Sequence, residues 1–291
     1  MDDNKIKVIY ISGLGRSGST LLDIIISTSP NVFSVGEIYR YNEYKNDDRL
    51  CSCGKNMTHC NFWSRIITRD IRIVNRANLK NYLTILRYLY FSKKKIGQLS
   101  SPENYLLLNQ IQNNLPPNTD FILDSSKELG RLIELVNDNR LEVYNIHIVR
   151  DGRGTANSFN KMVEGKKPKN YFISLLKWIF VNKLIFRYLR LSQVKSLVIS
   201  YDQFCENPNK YLKTIGSFID IVIPDNYPEI IRLMDYHNLG GNRLARTEKR
   251  KEFSQIKKDD NWKINKGPLT RFLATIISYP FNKKWVYRKH Y

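Results

Sequence analysis

No stretch of the 291 residues is both long enough and free enough of charge to span a membrane. The most apolar stretch, residues 171–191, is broken by Lys177, Asn182, Lys183, Arg187 and Arg190, and it reads as an amphipathic helix. Export through a secretory leader is not expected, since Met1-Asp2-Asp3 is acidic and residues 5–12 are only a short strand-like run, and a cytoplasmic location is expected. Cysteine is scarce. Four are too few for a disulfide scaffold, and three of them crowd into Cys51, Cys53 and Cys60. No internal repeat and no recognised nucleic-acid motif is visible, so no specific nucleic-acid partner is expected. The largest deficit is in acidic residues: 27 Asp plus Glu face 47 Lys plus Arg, a formal net charge of +20. Such an excess concerns partners and not fold, and it admits nucleic acid, anionic membrane, an acidic acceptor or a polyphosphate-like ligand.

Core-forming residues are plentiful, with 42% hydrophobic residues that include 13 Phe, 18 Tyr and four Trp, which excludes a disordered basic tail. The β-branched run of residues 5–12 enters a Gly/Ser loop, and residues 19–27 carry apolar side chains without a breaker until Ser29-Pro30. That is strand, loop and helix. A second unit runs from residues 120–124 through Ser125-Ser126-Lys127 to a helix near residues 129–136. Residues 143–149 form a third strand ending in Arg150-Asp151-Gly152, and residues 197–201 a fourth, followed by a helix that begins near Pro208. Strands alternating with helices predict the α/β class: a P-loop-like parallel sheet flanked by helices. The expected organisation is a single domain, with a core at about 5–40 and 118–222, an inserted, mostly helical cap at about 41–117, and a C-terminal tail at about 236–291 that folds back over the site. In such sheets ligands bind beyond the carboxyl ends of the strands, where the Gly13 loop, Lys127, Arg150 and Tyr201 all fall.

Gly13-Leu-Gly-Arg-Ser-Gly-Ser-Thr20 has Walker A glycine spacing, but Ser19 stands where the phosphate-gripping Lys would be. Gly13, Gly15 and Gly18 let the backbone curl so that successive amides and the next helix's positive end face one oxyanion, with Arg16, Ser17, Ser19 and Thr20 as added donors. The structural alternative is a plain glycine turn. Without the Lys, and with Asp124 as the one evident carboxylate for Mg²⁺, ordinary nucleotide hydrolysis loses two of its parts.

With Arg150-Asp-Gly-Arg-Gly-Thr-Ala-Asn-Ser158 and Ile199-Ser-Tyr201-Asp202, this loop resembles sulfotransferases that use 3′-phosphoadenosine-5′-phosphosulfate (PAPS). The segments Cys51-Ser-Cys53-Gly54, Cys60-Asn-Phe62-Trp63, Asp124-Ser-Ser-Lys127 and residues 237–242 are similar to the bacterial branch related to carbohydrate and tyrosylprotein sulfotransferases. The resemblance implies 5′-phosphosulfate binding by Gly13 to Thr20, 3′-phosphate binding by Arg150 and Ser158, and adenine contact by Tyr201. Asp202 stands where the family has Glu. The bland reading of Arg150 is a strand-end ion pair with Asp151. Arg243 either closes over the donor or is a solvated turn residue.

Sulfuryl transfer asks the protein to position reactants and to neutralise a leaving phosphate, which suits Arg16 and Lys127. By the same resemblance Glu37, in Ser34-Val-Gly-Glu37, is the base that takes the acceptor's proton; its bland reading is a carboxylate paired with Arg40. His59 and His237 are weaker candidates, and His147 reads as a buried structural imidazole. The reaction expected is transfer from PAPS to a hydroxyl or amine of a carbohydrate, tyrosyl peptide or small-molecule or lipid acceptor, releasing adenosine 3′,5′-bisphosphate (PAP). No metal is required. Cys51, Cys53, His59 and Cys60 are chemically able to hold zinc, but the spacing favours a disulfide or packed thiols, and Cys205 reads as a small buried hydrophobe. The basic runs at residues 93–95, 166–167, 249–251 and 283–289 are solvated charge by default, and also suit an acidic acceptor or a peripheral contact with an anionic membrane. The rivals are a P-loop nucleotide kinase-like enzyme and a non-catalytic basic nucleotide or nucleic-acid binder.

Overall fold

The first strand alternates its side chains between two apolar layers, and that alternation decides the architecture. The computed structural model describes residues 5–66, 85–86, 89–90, 102–161, 167–241 and 256–288. Its first part runs Ile6–Ser12 (β1), Ser19–Ile26 (α1), Val32–Gly36 (β2), Tyr41–Asn46 (α2), Pro102–Asn113 (α3), Phe121–Lys127 (β3), Leu129–Val136 (α4), Leu141–Val149 (β4) and Gly152–Asn160 (α5). Tyr171–Leu191 (α6), Lys195–Ser200 (β5), Tyr201–Glu206 (α7), Pro208–Ile219 (α8), Tyr227–Leu233 (α9), Trp262–Asn265 (α10) and Pro268–Trp285 (α11) complete it. Val8 and Tyr10 of β1 enter one layer, Ile9 and Ile11 the other, and all four are fully buried. A strand apolar on both faces belongs mid-sheet, between covering helices. β1 is indeed central, in a five-stranded parallel sheet of order β2-β3-β1-β4-β5.

Leu22, Ile24 and Ile25 of α1, Ile215 of α8 and Ile231 of α9 close one face. The other face is covered by Leu107, Leu108 and Ile111 of α3, Leu132 of α4 and Trp178 and Leu184 of α6. Helix α3 falls within the range expected as a cap, and it packs on this sheet face. α1 ends where Ser27 and Thr28 turn their hydroxyls back onto the carbonyls of Ile24 and Ile25, just before Pro30. α6 starts at Asn170, whose side chain accepts the Ile173 amide, and covers the expected residues 171–191. No helix among the described residues is long and apolar enough to cross a membrane.

The sequence pattern missed β2. Only five residues long, it contains Ser34 and ends in Gly36, and Val32-Phe33-Ser34-Val35 lacks the apolar–polar alternation that would have marked it. Strand β3 runs through Ser125-Ser126-Lys127 instead of stopping at Asp124. After a register shift Lys127 still pairs with Ser12 of β1. Asp124 is fully buried: it accepts Arg131 Nε at 3.0 Å and the Ser126 hydroxyl. Arg131 is also fully buried and reaches Glu134 at 3.1 Å as well as the Asn104 carbonyl oxygen of α3. Such a cluster tolerates the loss of one member badly, because the partners keep their charge without compensation. Replacing Arg131 with Leu should therefore destabilise the fold by about 3–5 kcal/mol. Urea unfolding would measure it, and a loss under about 1 kcal/mol would show that the cluster does not hold α3 and α4 to the sheet.

Candidate functional site

Parallel strands end together, so the residues that follow them share one edge. Ser12 of β1 is level with Lys127 of β3 and His147 of β4, and Gly36 of β2 with Asp124. Gly13, Glu37, Arg150 and Tyr201 follow directly. The Gly13 loop turns through left-handed backbone at Arg16 (φ 72°) and Gly18 (φ 95°) before α1 begins. α1 has no side-chain cap, and the buried Ser17 hydroxyl has no hydrogen-bond partner. Uncapped amides and an unpaired buried donor beside a helix's positive end make a cradle suited to an oxyanion.

Tyr201 lies against this cradle. A side chain at Gly18 would overlap its ring, so glycine is required there by space as well as by φ. On the ring's other neighbour, the Arg150 guanidinium stands 4.9 Å from the centroid, and its Nη1 donates to the Arg16 carbonyl at 3.4 Å. Arg150 is not paired with Asp151. That carboxylate caps α5 through the Arg153 amide and binds the Arg153 guanidinium at 2.6 Å and the Tyr287 hydroxyl at 2.8 Å. Arg150 instead holds Asp259, donating to its carbonyl at 2.5 Å and lying 3.2 Å from its carboxylate. Burial would raise the Asp259 carboxyl, but the charges of Arg150 and Lys161 overcome it and hold it below the usual carboxylate range. The Tyr201 hydroxyl donates to the Lys257 carbonyl at 3.2 Å, so residues 257–259 close over both side chains. Ser158 is half-buried on α5; its neighbour Phe159 lies beside Gly15, and Gly154 packs on the Arg150 guanidinium.

Glu37 and Lys127 form the second half of the site. Lys127 Nζ donates to Glu37 Oε1 at 2.5 Å and to the Ser125 carbonyl at 3.1 Å, while the Lys127 carbonyl accepts the Gly13 amide at 3.3 Å. Lys127 adopts a left-handed φ of 71° to do both. Glu37 also faces the Tyr39 hydroxyl at 3.4 Å and Arg40 at 3.9 Å, so its expected pairing with Arg40 is present but secondary. Burial pushes the Glu37 carboxyl up; the charge and hydrogen bond of Lys127, the charge of Arg40 and the Gly241 amide outweigh it and leave it below the ordinary value. A strap, residues 237–241, covers the carboxylate. Leu239 pairs with Gly36, its carbonyl accepts the Glu37 amide at 2.5 Å, and a side chain at Gly240 would strike Glu37.

Sequence reasoning overlooked Asp23. This buried carboxylate of α1 accepts from Ser34 and Ser125 at 2.5 Å each, from the Tyr236 hydroxyl at 3.0 Å and from Asn238 at 3.1 Å. It thus ties α1, β2, β3 and the strap together. A charge inside the apolar run Leu21-Leu22-Asp23-Ile24 was the available signal. His147 is buried against Phe186, as expected of a structural imidazole, with Nδ1 3.3 Å from the Ser12 hydroxyl. His59 is exposed and turned to Asn56 at 2.6 Å. Cys205 is half-buried beside Tyr201, and burial raises its thiol to about 11. All four cysteines are free, so packed thiols and not a disulfide describe Cys51, Cys53 and Cys60; it is His237, not His59, that joins them. Arg243 lies outside the described residues, as do residues 93–95, 166 and 249–251 of the basic runs.

No family model matches the sequence, and no curated protein matches it. Among solved structures, the chain is similar to the sulfotransferase domain of the curacin biosynthetic pathway, with a TM-score of 0.53 and 16% identity over 94% of this chain and 96% of that one. It is also similar to the sulfotransferase domain of the olefin synthase of Synechococcus PCC 7002, with a TM-score of 0.50 and 17% identity over 96% and 95%. The fold is that of a sulfotransferase domain.

Because the folded Glu37 carboxyl is lowered, its pairing stabilises the protein fully above the ordinary value of 4.5, and that contribution drains away as pH falls through the folded value. Lys127→Met leaves burial as the largest influence and should reverse the sign. Carbon-13 titration of the Glu37 carboxyl should find it below 4.5 in the parent and above 4.5 in the variant. An unmoved titration would show that Lys127 does not govern Glu37.

Proposed function

We propose that this chain is a sulfotransferase that uses PAPS as donor and acts on a hydroxyl or amine. The observation that carries the reading is the 3.4 Å contact between the Arg150 guanidinium and the Arg16 carbonyl, with the Tyr201 ring beside both Arg150 and Gly18. It sets two anion sites side by side on adjacent strands. The residues fit the donor: the Ser17 hydroxyl lacks a partner, no side chain caps α1, and Arg150 already takes a carboxylate from Asp259. Bound PAPS would supply the sulfuryl group and a good leaving group in PAP. Gly13, Gly15, Arg16, Ser17, Gly18, Ser19 and Thr20 would hold the 5′ end, Arg150 and Ser158 the 3′-phosphate, and Tyr201 the base.

This chain's own part is electrostatic and positional. Arg16 and Lys127 face the edge where negative charge collects, and Glu37 holds the acceptor's proton. A carboxylate kept low by an ammonium accepts a proton poorly. When Lys127 turns towards an anion on the glycine loop, Glu37 loses its main counter-charge, burial dominates and its basicity rises. Base function would thus be coupled to donor occupancy through one side chain. The acceptor class stays broad: a carbohydrate, a tyrosyl peptide or a small-molecule or lipid hydroxyl, with acidic ones favoured by the +20 charge.

A nucleotide kinase-like reading is less well supported. Ser19 replaces the phosphate-gripping Lys, and Asp124, the carboxylate that could have served Mg²⁺, is committed to Arg131 and Ser126 in the core.

Calorimetry should find PAP bound more tightly than ADP or AMP. Arg150→Ala should remove that preference while changing turnover at saturation far less. Glu37→Gln should retain PAP binding and lower turnover by roughly 10²–10⁴, the range of a lost general base. Equal affinity for the three nucleotides would overturn the donor assignment, and undiminished turnover in Glu37→Gln would assign the proton to another group.

A further inference from the structure

The chemistry above leaves three thiols and one imidazole unused. Cys51, Cys53 and Cys60 sit on the loop before residue 66, and His237 comes from the strap; one ligand atom from each lies within 4.8 Å of all the others. Cys53 Sγ is 3.6 Å from Cys60 Sγ, which is 3.9 Å from Cys51 Sγ and 3.3 Å from His237 Nδ1. A disulfide requires about 2.05 Å, so these sulfurs are unbonded. A tetrahedral ion with metal–sulfur bonds of about 2.3 Å and a metal–nitrogen bond of about 2.05 Å sets sulfur–sulfur edges near ~3.8 Å and a sulfur–nitrogen edge near ~3.6 Å. The four side chains already have close to that shape.

The His237 ring is held in place. It stacks on Phe62 with centroids 6.1 Å apart, and its carbonyl accepts Trp63 Nε1 at 2.6 Å.

We propose that Cys51, Cys53, Cys60 and His237 bind one zinc ion in a closed structural site. Three thiolates and an imidazole are the soft, four-ligand set that zinc takes when no open position is needed for catalysis. Binding releases the thiol protons to solvent, so affinity falls as pH falls. The ion ties the Cys loop to the strap that lies on Glu37, adding to the bonds of Trp63 and of the Ser52 hydroxyl, which donates to the Tyr236 carbonyl at 2.5 Å and accepts the Asn238 amide at 2.7 Å. The site does not depend on the proposed donor or acceptor.

Elemental analysis of the full chain, purified with a reductant and supplied with zinc, should find about one zinc per chain. Exchange with cobalt(II) should give the visible bands and thiolate charge-transfer absorption of a tetrahedral thiolate site. Cys53→Ser and His237→Ala should each weaken zinc binding by roughly tenfold or more, while His59→Ala should retain it. Should those two variants fail to fold, the parent's cobalt spectrum decides. A chain that binds no zinc, an octahedral cobalt spectrum, a disulfide among the three cysteines, or a metal lost with His59 instead of His237 would each overturn the proposal.

Discussion

An ammonium and a carboxylate, 2.5 Å apart and nearly out of water, organise the working edge of this molecule. Withdrawing such a pair from solvent is expensive, and it persists only where geometry and further hydrogen bonds compensate. Both conditions are met. Lys127 adopts a left-handed backbone whose carbonyl fixes the start of the glycine loop, and Glu37 is pressed from outside by a strap whose glycines leave room for it. The same contact that stabilises the edge also sets the proton affinity of its carboxylate, so structure and chemistry share one interaction. Asp23 plays the supporting part below, collecting four donors from three segments.

Much of this was legible in the residues, because the signals were local. Strands β1, β3, β4 and β5 showed as β-branched runs, α6 as a helix interrupted by charge, and the glycine loop as a turn with the strand and helix it needs on either side. What escaped was non-local or brief. β2 is too short to outweigh its Ser and Gly. Sequence adjacency suggested His59 as the companion of the cysteines, whereas the fold brings His237 from far along the chain. The alternative partner for Arg150 was its neighbour Asp151, but a carboxylate at a helix start serves the amides there first, and Asp259 arrived from the tail.

Asp259 also changes how the proposed 3′-phosphate site is understood. Its carboxylate stands on Arg150 with its charge held by Arg150 and Lys161, so the pocket is not a bare positive charge waiting in water. Residues 257–259 would have to yield to a stronger oxyanion, and the affinity seen from outside is then the difference between two anions competing for one guanidinium.

The two cradles hang from β1 and β4, neighbours whose backbones are hydrogen-bonded to one another up to the pairing of Ser12 with His147. Adjacent strands are spaced at about 4.8 Å by peptide geometry alone. A donor held as proposed would therefore be measured across the rim by a ruler made of main chain. Substituting side chains can blunt the grip at either mark, but it cannot recalibrate the scale.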